Sequence, residues 1–242
     1  MVRPRILTFL AVALVAALGF VRLGLWQLDR LGQRQAANAI IAERLQGRPV
    51  PLIAVLTDTA DARYRPTSVR GVWDYGNELV LTTRSRNGSP GVYVLTPLRP
   101  EGGGPAVLVN RGWIYAADGM TADLAVWHEG DTAEVSGFVE TYTHGAGAVS
   151  TSSAARGVRR LTADSIAARI PYPLAPVLVV QQDTAKAAGT NHPVRLEPPI
   201  LDEGSHRSYA LQWFAFATIT VIGALAVVAK ERATDRRGSS RS

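Results

Sequence analysis

His206 is the residue of this sequence whose place invites chemistry, because it stands at the mouth of an uncharged apolar run covering 208–229. A helix starting by Ser205 would put it in register with Tyr209, Trp213 and Phe216, so that an imidazole heads a stripe of aromatic rings. Such an imidazole would ligate a haem iron while the rings pack on the macrocycle and Arg207 or Arg30 meets the propionates at the water boundary. It would equally serve as an interfacial histidine bonded to headgroups beside an ordinary aromatic belt. The residues alone leave both readings open.

The remaining candidates are weaker. His128 precedes Glu129-Gly130 in a polar turn, His144 opens a Gly-rich loop, and His192 adjoins Pro193 in an irregular stretch. No two histidines have the i, i+3 or i, i+4 spacing that builds a metal site on one helix. The sequence has no cysteine, which excludes disulfides, thiolate metal sites, covalently attached c-type haem and a cysteine nucleophile. Nucleophile elbows, phosphate loops, dinucleotide fingerprints and His-Glu-x-x-His are all missing, and the carboxylates are scattered without an obvious pair.

The elements that must hold His206 are the apolar segments at either end. From 6 to 21 the only polar residue is Thr8, and the apolar character resumes after Arg22 through Trp26, which predicts a first membrane helix over 6–28. A cleaved secretory signal is the alternative, although the Ala-x-Ala patterns lie inside the run rather than beyond it. The second span is predicted over 208–229. Arg22, about a turn from the end of the first span, is read as snorkelling to the headgroups.

The net charge is +6, from 26 Lys+Arg and 20 Asp+Glu, and the surplus lies at the ends. Between Asp29 and Arg207 the basic and acidic residues balance, which argues against a nucleic-acid partner. Basic residues 3 and 5 and the tail 230–242 flank the spans, so both termini are predicted to be cytoplasmic and residues 29–207 to lie outside. No Arg- and Ser-rich presequence precedes the first span, which favours a bacterial plasma membrane over a mitochondrial one.

Between the spans, 29–45 is predicted to continue as helix until Gly47-Arg-Pro-Val-Pro51 stops it. Short runs rich in β-branched and aromatic residues then follow at 67–73, 78–84, 92–98, 106–115 and 134–141, with a last one at 177–182. Tight turns between them predict a mostly antiparallel sheet or barrel, with a short helix over 161–170 capped by Thr162 and a mobile loop over 143–156. The fold class is therefore a membrane protein whose N- and C-terminal helices flank a β-rich (α+β) extracytoplasmic domain.

Four segments carry a family resemblance: Gly24-Leu-Trp-Gln-Leu-Asp-Arg30; Arg63-Tyr-Arg-Pro-Thr-Ser-Val-Arg-Gly-Val-Trp-Asp74; Gly91-Val-Tyr-Val-Leu-Thr-Pro-Leu-Arg99 with Val107-Leu-Val-Asn-Arg-Gly-Trp113; and His206-Arg-Ser-Tyr-Ala-Leu-Gln-Trp-Phe-Ala-Phe-Ala217. In that order they resemble the surfeit locus protein one, or Shy-type, family of cytochrome c oxidase assembly factors. The resemblance implies a non-enzymatic protein that helps deliver or insert haem a into oxidase subunit I, with a haem a synthase as a further partner. It also implies that His206 is the iron ligand, with Trp26, Gln27, Arg30, Arg207, Tyr209, Gln212 and Trp213 around the cofactor. The sequence departs from the commoner family pattern in carrying Ser205 and Arg207 around the histidine, where many members have Asn and Leu. Two other readings stay in view: a membrane-tethered chaperone that grips the oxidase without binding haem, and an anchored extracytoplasmic enzyme. Trp73 and Trp113 are read as core anchors, with contact to a partner as the alternative.

Overall fold

A computed structural model describes residues 4–143, 156–182 and 191–239, with side chains through 234. In chain order its elements are α1 (Pro4–Leu45), β1 (Val50–Pro51), α2 (Leu52–Leu56), β2 (Pro66–Trp73), β3 (Leu79–Arg86), β4 (Ser89–Pro100), β5 (Ala106–Tyr115), β6 (Thr132–Thr141), β7 (Gly157–Val158), α3 (Ala163–Ala167), β8 (Leu174–Gln181) and α4 (His206–Ser239). They form two units, residues 1–40 with 200–242, and residues 41–199. On the N-terminal side the units meet at 40/41, 12 residues beyond the end of the first span expected over 6–28, because α1 runs unbroken past the apolar stretch.

The helical unit pairs α1 with α4. Both helices are long and apolar enough to cross a membrane, and only 11% and 6% of their most apolar windows are buried. A core helix of a soluble protein would hide most of that surface; these two expose it, as membrane spans do. What each helix does bury recurs at coiled-coil spacing, at Leu10, Ala13, Ala17, Phe20, Gly24 and Gln27 on α1 and at His206, Ala210, Trp213, Ala217, Thr220 and Ala224 on α4. Small residues dominate this seam, which lets the backbones approach where lipid supplies no hydrophobic drive. At Gly24 the approach is close: a Cβ there would stand 2.7 Å from the Phe214 ring. Gln27 meets His206, while Phe20 meets Trp213 and Phe216, so the helices run antiparallel, with the start of α4 beside the later part of α1.

The second unit is a barrel. Its sheet order is β1-β2-β6-β8-β5-β4-β3-β7, and an extra β2–β4 pairing closes β2, β6, β8, β5 and β4 into a ring. Most pairings are antiparallel as expected. Those of β1 with β2, β3 with β7 and β5 with β8 are parallel, since each of these partners arrives by a crossover rather than a hairpin. Alternate residues of the ring strands point inward, with Val69, Trp73, Leu98, Val107, Val109, Val135, Val139, Val177 and Val179 packed together and α2 stoppering them through Leu52 and Val55. Residues of the opposite parity, including Leu108, Phe138, Leu178 and Val180, pack outward beneath β7 and α3 through Val158 and Ile166. β8 is therefore buried on both faces, which is why its sequence is an unbroken apolar run.

Closure depends on Gly71. There β2 lies so near β4 that a Cβ would sit 2.2 Å from the Arg99 carbonyl oxygen. Thr162 caps α3 by accepting from the Ser165 amide, as its position predicted. Residues 144–155 of the expected mobile loop, and His144 with them, lie outside the described residues.

Candidate functional site

The helical unit brings His206 and Gln27 together at the end of the seam. Nδ1 of His206 lies 2.9 Å from Gln27 Oε1, and because an amide oxygen only accepts, the ring nitrogen is the donor. The proton is thus held on Nδ1 and the lone pair falls on Nε2. Gly204, at φ +68°, keeps the approach to that atom clear: a Cβ there would stand 3.8 Å from Nε2. A half-buried imidazole with its tautomer set by an amide is the donor chemistry a haem iron takes, and the second hydrogen bond is what orients such ligands. The residues present fit that group.

Two helical turns deeper, Trp213 stacks on Phe20 with ring centroids 5.8 Å apart and a 23° interplanar angle, and Phe216 closes edge-on against Trp213. Phe20 escaped the sequence reading, since one more ring in an apolar run carries no distinguishing signal. The other expected site residues sit around this centre without joining it. Tyr209 and Gln212 are exposed on the flank of α4, and Arg207 is exposed beside His206. Trp26 is rotated away from the seam, and its ring lies under Arg30, whose guanidinium carbon is 5.5 Å from the centroid. On the extension of α1, Arg34 and Asn38 both donate to the Asp202 carbonyl and Gln35 to the Glu203 carboxylate, tying down the segment that leads into His206.

A second polar centre, in the barrel unit, was not legible in the sequence. Arg111 is fully buried and spends every nitrogen: Nη1 on Glu78 at 3.0 Å and on Thr96 at 3.4 Å, Nε on Glu129 at 3.2 Å, and Nη2 on Glu129 at 2.8 Å and on the Trp127 carbonyl. Trp73 and Tyr75 lie against its guanidinium. Arg195 binds the other oxygen of Glu129 at 2.5 Å. His128, expected to be an ordinary turn residue, instead bonds Glu78 at 3.1 Å and stacks on Tyr75 with centroids 3.6 Å apart. The carboxylates that looked scattered converge here, two acids against two arginines, all with hydrogen-bond partners. Balanced and closed in this way, the cluster has the form of a structural network. Trp73 is a core anchor as expected, whereas Trp113 is only half-buried.

Burial alone would raise the Glu129 pKa, but the hydrogen bonds and charges of Arg195 and then Arg111 outweigh it and hold the carboxyl below its usual 4.5. Asp74 is likewise lowered, burial being outweighed by bonds from Tyr172, Arg99 and Asn77. Depressed carboxyls stabilise the fold fully above their unfolded values and lose that contribution as pH falls through the folded ones. Thermal stability of the full chain in neutral detergent is therefore expected to be flat above about pH 5 and to fall steeply below about pH 4. A melting temperature unchanged down to about pH 3 would contradict that sign.

The model of the SURF1 family matches residues 14–218, a stretch that holds Gln27, the whole barrel unit and His206. The chain belongs to the SURF1 family. Among relatives, human Surfeit locus protein 1 is 32% identical over 107 residues, which is 38% of this chain and 36% of the human protein. Cytochrome oxidase assembly protein SHY1 of Saccharomyces cerevisiae is 32% identical over 94 residues, covering 38% of this chain and 24% of the yeast protein. A SURF1-like protein of Monosiga brevicollis is 27% identical over 127 residues, covering about half of each chain. The chain thus matches about a third of the length of the human relative, and membership of the SURF1 family rests on the family match rather than on these shorter alignments.

Proposed function

We propose that this chain is a non-enzymatic assembly protein for cytochrome c oxidase, held in a bacterial plasma membrane with both ends cytoplasmic. We further propose that its His206 site holds haem a on the way to oxidase subunit I. The assembly role is supported by the SURF1 family and by the name of the yeast relative. The observation that carries the haem reading is the bond from His206 to Gln27, which leaves Nε2 as a free lone pair at the end of the seam. His206 Nε2 would hold the iron of haem a, and the group would supply redox chemistry there.

The chain's own residues do the rest. Gln27 fixes the ring tautomer, and Gly204 leaves room at Nε2. Phe20, Trp213 and Phe216 wall the deeper side with apolar surface, and Tyr209 and Gln212 offer polar atoms on the open flank. Trp26 and Arg30 form an adjoining face and Arg207 a cation beside the histidine, each suited to propionates at the water boundary.

The test is to purify the full chain from cells that make haem a and to record its absorption spectrum. His206→Ala is expected to lose the haem bands, and Gln27→Leu to weaken haem retention by about tenfold, as loss of an orienting partner does. A wild-type haem complement in His206→Ala would remove that residue from the site. Oxidase subunit I or a haem a synthase co-purifying with a haem-free wild type would point to the tethered chaperone instead.

A further inference from the structure

In the 41–199 unit, many arginines have acidic partners. Arg44 and Arg65 pair with Asp61, Arg63 with Glu140, Arg70 with Glu134, Arg99 with Asp74, and Arg111 and Arg195 with Glu129. Arg48 and the five residues Arg84, Arg86, Arg156, Arg159 and Arg160 have no ion pair among the described residues; the five lie along β3 and β7, with Arg84 over the Tyr93 ring and Arg156 Nη1 donating to the Tyr75 carbonyl. The short β7 sets them there, with Gly157 opposite Val80 and Val158 opposite Leu81, so that residues 156, 159 and 160 flank β3. The Val80 amide donates to the Arg156 carbonyl, and Arg84 Nη2 donates to the Arg159 carbonyl at 3.3 Å. Arg86 is two residues beyond Arg84, on the same face of the strand. Glu197 shares a small cleft with Arg86 but makes no ion pair with it.

Like charges side by side are mutually unfavourable, so five cations without acidic partners along one edge favour an anionic partner. The shape of the edge selects among anions. β7 covers β3 at Val80 and Leu81, the Thr83 amide donates to the Gly119 carbonyl, and among the described residues no further strand lies beside Arg84 to Arg86. An extended chain can add there through its backbone while its carboxylates meet the arginines. A lipid surface offers the charge but no strand.

We infer that the β3–β7 edge, with Arg84, Arg86, Arg156, Arg159 and Arg160, is the docking surface for an acidic, extended segment of a partner protein. This surface is separate from the His206 site, and its failure would leave the haem reading untouched.

The experiment uses the full chain in phosphatidylcholine nanodiscs and a fluorescent peptide of alternating Glu and Val, followed by anisotropy. Binding is expected, weakening as salt is raised. The double variant Arg159→Glu/Arg160→Glu, at two exposed positions that leave the barrel core intact, is expected to weaken it at least tenfold. Arg48→Glu, reversing an exposed arginine that also lacks an ion pair but lies away from this edge, is expected to leave it unchanged. Equal binding by wild type and double variant would overturn the proposal. So would vesicles containing phosphatidylglycerol that bind the wild type more tightly than the peptide and lose the double variant, since the edge would then be a membrane contact.

Discussion

Arg111→Ala is expected to lower the melting temperature of the detergent-solubilised chain by roughly 10 °C, corresponding to the ~3–5 kcal/mol lost when one member of a buried ion network is removed. The size follows from what is left behind. Glu78 is buried with no accessible side-chain surface and would keep only Thr96 and His128, while Glu129 would keep Arg195. A carboxylate that has lost its counter-charge in a barrel wall must either protonate or admit water, and both disrupt the packing of Trp73 and Tyr75 against the guanidinium. Arg111→Lys is expected to recover little, because a single ammonium cannot span Glu78, Glu129 and the Trp127 carbonyl at once. Pairing Arg111→Met with Glu78→Gln should recover part of the loss by removing charge on both sides. A drop of less than about 2 °C in Arg111→Ala would mean that the network contributes little.

Gly71→Val should damage the closure of the barrel itself. Its Cβ would meet the Arg99 carbonyl oxygen at 2.2 Å and the carbonyl carbon at 2.9 Å, and a backbone cannot rotate aside as a side chain can. β2 and β4 must separate, and the pairing of Val72 with Arg99 and of Trp73 with Leu98 goes with them. A loss of about 3 kcal/mol is expected, at the upper end of overpacking penalties. Gly102→Ala, in a turn where an added Cβ meets nothing within 4 Å, is the control and should be close to neutral. Chemical denaturation of the full chain in detergent reads both, and equal midpoints would show that β2 and β4 have room to part.

The sequence made the strands legible because most of them alternate or run apolar between turn residues; β5 begins and ends at the residues its pattern suggested. The two-residue strands β1 and β7 were invisible, being too short to show any period, and so was α2, whose five residues lie behind a proline. Arg111 was hidden for a different reason. Arginine is ordinarily a surface residue, and only its position in an apolar run, followed by Gly112, hinted that it points inward. At the helical site, His206 was conspicuous as a polar residue at the mouth of a span. Its partnership with Gln27 depends on how two segments 179 residues apart are paired, which no local pattern encodes.

One consequence of the strand order concerns biosynthesis. β8 lies between β5 and β6, yet it is the last of the barrel strands to leave the ribosome. Until residues 174–181 have been made, β5 and β6 have nothing between them, so the wall stays open through most of translation. Completion of the barrel therefore coincides with arrival of the second hydrophobic helix at the translocon, and a nascent chain arrested before Leu174 should be digested by protease where one arrested after α4 resists.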